Sequence, residues 1–142
     1  MKKKTQIQFK PYSPIFLALI FCAISQMEAS LWAAEPKIAQ ATVTLIIDYS
    51  DGVEKRFTRI LWKQDMTIFD VMRAAQAHPR GLRYKSKGSG ATAFLQAIDG
   101  LENEGQGMNW IFRVNGKLGD RSFAVTPVQQ ADTILWKFGD YQ

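Results

Sequence analysis

The segment TIFDVMRAAQA, residues 67–77, decides the fold. Its apolar side chains recur at the i, i+3, i+4 and i+7 spacing that places them on one face of an α-helix. These apolar residues are Ile68, Val71, Met72 and Ala75. Thr67 is a residue type that caps helix N-termini, and Pro79 and Gly81 end the pattern. The sequence therefore predicts one amphipathic helix, which must bury its apolar face against another element.

A β-hairpin is predicted before this helix. Residues 41–49 alternate apolar and polar side chains and are rich in β-branched types, as expected for a half-buried strand. A Ser-Asp-Gly turn separates them from a returning strand over residues 54–62. Phe57 and Ile60 can face the same side of that strand only across a β-bulge, which we place near Arg59.

Several further strand patterns follow the helix. They occupy residues 82–87, 93–98, 109–114 and 133–138. Asn115-Gly116 is the strongest two-residue hairpin sequence in the chain. Because a single helix is available to cover these strands, we expect an α+β fold that is β-grasp-like, with one mixed sheet packed against that helix.

The N-terminus has the organisation of a secretory signal peptide. Four lysines precede an apolar run over residues 15–24, which is shorter than the roughly 20 residues that a membrane span needs. We expect cleavage after Ala33 or Ala34, although the bulky Trp32 beside this site leaves an uncleaved membrane anchor as the alternative.

The expected organisation is a signal peptide over residues 1–34, a leader over 35–40 and one domain over 41–142. The chain is therefore predicted to be exported, to the periplasm or the extracellular space. Loss of the signal peptide removes four lysines and one glutamate, so the net charge falls from +5 to +2. It also removes Cys22, which leaves the domain without a disulfide or a thiol nucleophile.

The mature chain offers little for catalysis, and we expect no enzymatic activity. His78 is the only histidine and lies at the predicted helix end, and Ser89 lacks the glycine pattern of a nucleophile elbow. Asp99, Glu102 and Glu104 could act as acid and base or hold calcium if they converged, but their spacing does not fit an EF-hand. A solvated loop is the simpler interpretation, and no metal site is predicted.

Basic residues surround Tyr84 on the strand predicted over residues 82–87. Arg83, Lys85 and Lys87 would line one face, a pattern that could follow a nucleic-acid backbone. Lysines on an exposed strand also prevent edge-to-edge pairing, and the mature charge is small. We therefore expect no nucleic-acid partner.

Five motifs resemble, in this order, those of the transcobalamin-like C-terminal domain family, a β-grasp module of bacterial exported proteins. They are VTLII at 43–47, MTIFD at 66–70, IDGL at 98–101, NWIFRVNG at 109–116 and DTILWKF at 132–138. The resemblance covers residues 41–138 and implies a β-grasp fold with a binding role. The chain departs from the family at Ala131, where a glycine is usual. If that turn requires a positive φ, alanine costs about 1 kcal/mol there.

The resemblance also bears on ligand and partner. In animal cobalamin carriers this module closes over a corrinoid held jointly with a helical barrel, and the 142 residues encode no such barrel. Cobalamin is therefore a candidate through the resemblance alone, and the cofactor is otherwise unassigned. We expect the domain to bind a small molecule or, alternatively, another exported protein. A membrane is a partner only if the signal segment stays uncleaved.

The predicted contact surface is the glycine-bearing loop over residues 101–109 with the aromatic side chains next to it. Core packing is the default role of Trp62, Trp110 and Trp136, but Trp110 has polar neighbours at the mouth of a hairpin. The candidate ligand-binding residues are Trp110, Asn109, Glu102, Asn103 and Tyr84.

Overall fold

The computed structural model describes residues 40–140, so the predicted signal peptide and all but the last residue of the leader lie outside the described residues. In this described part of the chain, eight strands and one α-helix follow one another in the order β1 (Thr42–Asp48), β2 (Glu54–Leu61), α1 (Ile68–Gln76), β3 (Tyr84–Lys87), β4 (Phe94–Ile98), β5 (Leu101–Glu102), β6 (Asn109–Val114), β7 (Lys117–Leu118) and β8 (Thr133–Gly139). A 3-10 turn over Gly90–Thr92 precedes β4. Within residues 40–140, no helix is long and apolar enough to cross a membrane.

A five-stranded sheet carries most of the domain. Its strand order is β2-β1-β8-β6-β7, in which β1 and β8 run parallel and the other neighbours run antiparallel. Alternate residues of β1 and β8 point to one face and are buried, including Leu45 and Ile134 at 0% exposure. The strands predicted over residues 41–49, 109–114 and 133–138 are confirmed.

The β1–β2 hairpin contains the predicted bulge. Val43 pairs with Ile60 and Leu45 pairs with Phe57, so two residues of β2 lie opposite Thr44. The extra residue turns both Phe57 and Ile60 inward, where they are 2% and 7% exposed. A bulge at residues 58–59 therefore explains the imperfect alternation of this strand.

The helix α1 matches its predicted pattern. Its four stripe residues, Ile68, Val71, Met72 and Ala75, are all fully buried. The Thr67 backbone N–H and hydroxyl both donate to the Asp70 carboxylate, at 3.0 Å and 2.8 Å. The carboxylate thereby satisfies an N–H at the helix start, where the helix dipole also favours negative charge.

The prediction of one mixed sheet is wrong. Strands β3, β4 and β5 form a separate three-stranded antiparallel sheet. The helix contacts β1 and β2, whereas β4 contacts β6, so helix and second sheet cover different parts of the same buried face. The architecture is an α+β domain that resembles a β-sandwich more than a single sheet under a helix.

A long connection between β7 and β8 adds to this cover. Phe123 and Val128 are 2% and 1% exposed, although the segment forms no strand. Ile68 N–H donates to Thr126 O at 3.0 Å, and Val128 N–H donates to Met66 O at 2.9 Å. Backbone groups of this connection are thus satisfied at the start of α1.

The turn at Ala131 does require a positive φ, the condition under which alanine is unfavourable there. The φ of Ala131 is 66°, in the left-handed region, and its N–H donates to Thr42 O at 2.8 Å. Alanine is strained in this conformation, whereas glycine is not.

We expect Ala131→Gly to raise the free energy of unfolding by about 0.5–1 kcal/mol, because relief of left-handed strain exceeds the entropy that glycine adds to the unfolded chain. Chemical denaturation would measure the change. Ala77→Gly is the matched control, since Ala77 is exposed at the end of α1 with an ordinary φ of −77°. Equal losses of stability in both variants would contradict the strain at Ala131.

Candidate functional site

The predicted contact loop is closed by its own side chains. Asn109 Nδ2 donates to the carbonyls of Gly105 and Gly107 at 3.0 Å and 2.8 Å, and its Oδ1 accepts from Gly105 N–H at 3.0 Å. Asn103 Nδ2 donates to Leu95 O at 2.7 Å. These amides replace the ladder bonds that an irregular segment lacks.

Trp110 lies in the core and is 4% exposed. Its indole N–H donates to Leu101 O at 2.8 Å, and its backbone N–H donates to Asn103 Oδ1 at 2.7 Å. Its ring meets Tyr49 edge-on at 5.7 Å between centroids. The side chain of Trp110 therefore anchors the loop from beneath, and its ligand-binding role stays a prediction.

Glu102 and Tyr84 are placed differently from Trp110. Glu102 belongs to β5 and pairs in solvent with Lys85, with 2.9 Å between carboxylate and ammonium. Tyr84 is half-buried and lines a cavity of about 260 Å³ together with Asp99. Burial raises the pKa of Tyr84. A ligand-binding role for these residues stays a prediction.

Asp99 organises a cluster that we call the polar junction, formed by Tyr49, Lys55, Gly81, Arg83 and Asp99. The Asp99 carboxylate accepts from Tyr49 Oη at 2.6 Å, Lys55 Nζ at 2.8 Å and Arg83 N–H at 2.9 Å. Lys55 also donates to Gly81 O at 2.8 Å. The junction ties the β1–β2 hairpin to the hairpin of β4 and β5.

The electrostatics of the polar junction are set by these contacts. Burial alone would raise the pKa of Asp99, but hydrogen bonds from Lys55, Tyr49 and Arg83 N–H outweigh it and hold that pKa below its usual value. Burial and the hydrogen bond to Asp99 raise the pKa of Tyr49. The junction is thus a satisfied ion pair and not a set of free acid and base groups.

The other candidate catalytic groups do not converge with Asp99. Glu104 accepts from Met108 N–H at 2.8 Å. The ring of His78 packs edge-on against Phe57 with centroids 5.4 Å apart, and its Nδ1 accepts from Arg80 N–H at 3.2 Å. Among residues 40–140, no three His, Asp or Glu side chains are grouped to hold a metal ion.

A second concave region, which we call the aromatic cavity, lies between the two sheets. Its volume is about 260 Å³. Its wall includes the rings of Trp110, Phe112, Phe123 and Trp136. Phe94 and Leu118 form part of its rim, where they are 56% and 42% exposed. Exposed large apolar side chains beside an aromatic wall are typical of binding surfaces.

Trp136 differs from the other tryptophans of the domain. It is 2% exposed and packs between Phe112, at 5.1 Å, and Phe123, at 5.7 Å between ring centroids. Its Nε1 is buried and has no hydrogen-bond acceptor, the one buried side-chain N or O in residues 40–140 so placed. An unpaired buried N–H costs about 1–3 kcal/mol, so it calls for an explanation.

Sequence reasoning missed the aromatic cavity although part of its wall was visible. The strands predicted over residues 109–114 and 133–138 hold Phe112 and Trp136, which pair directly in the antiparallel ladder of β6 and β8. The ladder register would have placed the two rings side by side. Phe94, Leu118 and Phe123 reach the cavity only through the tertiary fold.

A comparison with known protein families covers the part of the chain that holds the aromatic cavity. A family model described as a domain of unknown function, DUF4430, matches residues 65–140, more than half of the chain. The chain belongs to the DUF4430 family. All residues that line the aromatic cavity lie within the match, whereas Tyr49 and Lys55 of the polar junction precede it.

Two of the solved structures that share the fold of this DUF4430 protein illustrate the similarity. One is a candidate metal-binding protein from Ruminococcus gnavus, with 14% identity and a TM-score of 0.57 over 72% of this chain and 100% of that one. The other is haptocorrin in complex with Cbi, with 13% identity and a TM-score of 0.60 over 80% of this chain. The match spans only 28% of haptocorrin. No curated protein shows significant sequence similarity.

These comparisons support the transcobalamin-like resemblance in part. The DUF4430 chain shares its fold with a portion of haptocorrin, a transcobalamin-like protein. Identities of 13% and 14% carry the fold alone and transfer no binding residue.

The polar junction predicts a pH-dependent contribution to stability. Because the folded state holds Asp99 with a lowered pKa, its stabilisation is present above the unfolded pKa of about 4 and is lost as the pH falls through the folded pKa. We expect Asp99→Asn to lower the free energy of unfolding by about 1–3 kcal/mol at pH 6, and by less near pH 3. Urea unfolding at both pH values measures this.

Glu102→Gln is the control for Asp99→Asn, because it neutralises a carboxylate whose pair with Lys85 is exposed to solvent. It should change stability little at either pH. A pH-independent loss in Asp99→Asn would show that the carboxylate charge does not contribute.

The close approach of Gly119 to the Phe112 ring at the aromatic cavity can be tested by substitution. A Cβ on Gly119 would overlap the ring of Phe112, so we expect Gly119→Ala to destabilise the domain by about 1–3 kcal/mol through overpacking. In the control Gly139→Ala, the nearest atom to the new Cβ is Lys137 Cε at 4.0 Å. Thermal unfolding should separate the two variants, and equal melting temperatures would contradict the close packing at Phe112.

Proposed function

We propose that this DUF4430 domain binds a small molecule without transforming it, and that the aromatic cavity is its binding site. The observation that carries the proposal is a concave, aromatic wall whose rim exposes Phe94 and Leu118 to solvent. Burial of apolar surface is the main driving force for association, and aromatic walls supply it in ligand sites.

The proposal of binding without catalysis is supported by the contacts of the acidic and histidine side chains, which already have partners within the protein. Asp99 is held by Lys55 and Tyr49, and His78 packs against Phe57. Proton transfer needs a group within hydrogen-bond reach of substrate in a shared cleft. These groups lie at separate places and already have partners.

The volume of the aromatic cavity limits the ligand. Sites that enclose drug-sized molecules measure about 300–1,000 Å³, and this cavity holds about 260 Å³. A corrinoid, the ligand class suggested by the structure of haptocorrin with Cbi, is too large to be enclosed. We propose that the cavity accepts either a small ring compound or one projecting group of a larger ligand.

The finer fold assignment is also a proposal. A central parallel pair, β1 and β8, is flanked by antiparallel hairpins, with α1 on one face. This supports a β-grasp core to which the sheet of β3, β4 and β5 has been added.

We further propose that the domain acts outside the cytosol after removal of residues 1–34. The support is the lysine-rich, then apolar N-terminal sequence. Mass spectrometry of the protein from its native host should find an N-terminus at Ala34 or Glu35, in a periplasmic or secreted fraction. A chain that retains residues 1–34 in the membrane fraction would support the anchor, and one in the cytosol would contradict export.

The binding proposal predicts a ligand-dependent rise in thermal stability. A ligand at 100 times its Kd adds about 2.7 kcal/mol, which raises the Tm by roughly 10 °C or more for a domain of this size. The panel contains cobalamin, cobinamide and small ring compounds. Leu118→Arg, which places a charge at the rim, should abolish the shift.

Leu61→Arg is the matched control, because Leu61 is 49% exposed but lines a different groove, between β2 and α1. It should leave the shift intact. Loss of the shift in Leu61→Arg alone would move the site to that groove, and no shift with any compound would contradict small-molecule binding.

A protein partner is the second candidate, and the groove beside Leu61 favours it. This groove measures about 730 Å³ and runs along the edge strand β2, with Ile60, Met66 and His78 also in its lining. Edge strands and apolar grooves are common docking surfaces for polypeptides. Capture of one exported protein by the wild type, lost in Leu61→Arg and kept in Leu118→Arg, would support this alternative.

A further inference from the structure

One residue that lines the aromatic cavity, Trp136, has a polar side-chain group without a partner. The indole N–H of Trp110 donates to Leu101 O at 2.8 Å. The hydroxyl of Ser122 lies within donating distance of two carbonyls, Gly90 O at 2.8 Å and Ala93 O at 2.9 Å, so its one hydrogen has an acceptor. By contrast, Trp136 Nε1 is buried without an acceptor. Trp136 lines the cavity and thus carries a donor without an acceptor, and this donor lies behind the cavity surface because Nε1 is buried.

The charges around the cavity restrict what this donor can hold. Arg121 is the only ionisable residue of the lining, and it is exposed and paired with Asp120 at 3.0 Å. No charged side chain is buried among residues 40–140. An anion placed against Trp136 would lose its hydration without a buried countercharge, which costs several kcal/mol. A neutral acceptor avoids that cost.

The volume restricts the size of the ligand group. A cavity of about 150 Å³ accommodates benzene. The aromatic cavity, at about 260 Å³, therefore has room for a fused two-ring group. The rings of Phe112 and Phe123 beside Trp136 offer the offset and edge-on contacts that such a group prefers.

We infer, resting on the proposed binding function, that the ligand group in the aromatic cavity is an uncharged one- or two-ring group carrying a hydrogen-bond acceptor that accepts from Trp136 Nε1. Because Nε1 is buried, the acceptor reaches it only when neighbouring side chains move. The rings of Phe112 and Phe123 are two neighbours that pack against Trp136. The donor selects for a carbonyl or an unprotonated ring nitrogen over a hydrocarbon of equal size.

Three probes of nearly equal size and shape test this inference: quinoline, naphthalene and indole. Quinoline has a ring-nitrogen acceptor, naphthalene has none, and indole has a donor but no comparable acceptor. Titrations of the purified protein at pH 7.5, followed by ¹H–¹⁵N NMR of the indole N–H groups, give the three affinities. We expect quinoline to bind about three- to tenfold more tightly than naphthalene or indole, the effect of one neutral hydrogen bond.

The tryptophans also provide an internal readout. The Trp136 indole proton should shift downfield with quinoline and not with naphthalene. The indole proton of Trp62 should keep its position, because Trp62 does not line the cavity and already donates to Val128 O at 2.8 Å. This measurement uses the wild-type protein and does not depend on a variant that folds.

Trp136→Phe adds a second test, since it keeps an aromatic ring and removes the N–H. The preference for quinoline over naphthalene should disappear. Equal affinities in the wild type without a Trp136 shift would overturn the acceptor inference and leave the cavity as a binding site; ring contacts from Phe123 would then satisfy the N–H. Failure of all three probes to bind would overturn both the inference and the assignment of the cavity.

Discussion

The structure depends on a mismatch between the size of α1 and the apolar face that it must cover. A nine-residue helix is about 14 Å long, whereas five strands spaced about 4.8 Å apart span about 19 Å between the outer strands. The helix contacts β1 and β2, which leaves the inward side chains of β6 and β8 to other elements. The second sheet and the buried connection around Phe123 supply that cover. The aromatic cavity lies where these covering elements meet the sheet.

Features encoded by local periodicity could be predicted from the sequence. The spacing of two residues in β1, β6 and β8, and of three and four in α1, depends only on which side chains face the core. The bulge near Arg59 followed from the same rule, since two apolar residues had to share a face. The positive φ of Ala131 enters only as a condition, through the family resemblance, and the structure shows that the turn has it.

Features decided by long-range pairing could not be predicted in this way. β5 has two residues, too few for any pattern, and it exists because the turn at Asp99-Gly100, with φ of 48° and 93°, folds it onto β4. The separation of β3, β4 and β5 into their own sheet depends on which edges remain open after β8 pairs with β1 and β6. Sequence patterns predict strands but do not specify such neighbours.

In the candidate site, too, local sequence predicts which residues are polar but does not predict their hydrogen-bond partners. Asn103 and Asn109 are polar residues in a glycine-bearing loop, which made them candidate ligand contacts, yet their amides satisfy backbone groups of that loop. An irregular segment has no ladder, so its carbonyls and N–H groups need side-chain partners. Polarity in a loop is therefore weak evidence for binding until the hydrogen bonds have been counted.

The three tryptophans of the described residues differ in the hydrogen bond of the indole N–H. Trp62 and Trp110 each donate to the carbonyl of an irregular or short segment, Val128 and Leu101, so their indoles hold loops in place. Trp136 lies on β8, between β1 and β6, where ladder bonds engage the neighbouring backbone and aromatic rings surround the side chain. A phenylalanine would fill much of this space without an unpaired N–H that costs about 1–3 kcal/mol, a large share of a typical domain stability of about 5–15 kcal/mol. A ring contact from Phe123 would offset only part of this cost, whereas the acceptor proposed for the aromatic cavity would pair the N–H with a full hydrogen bond.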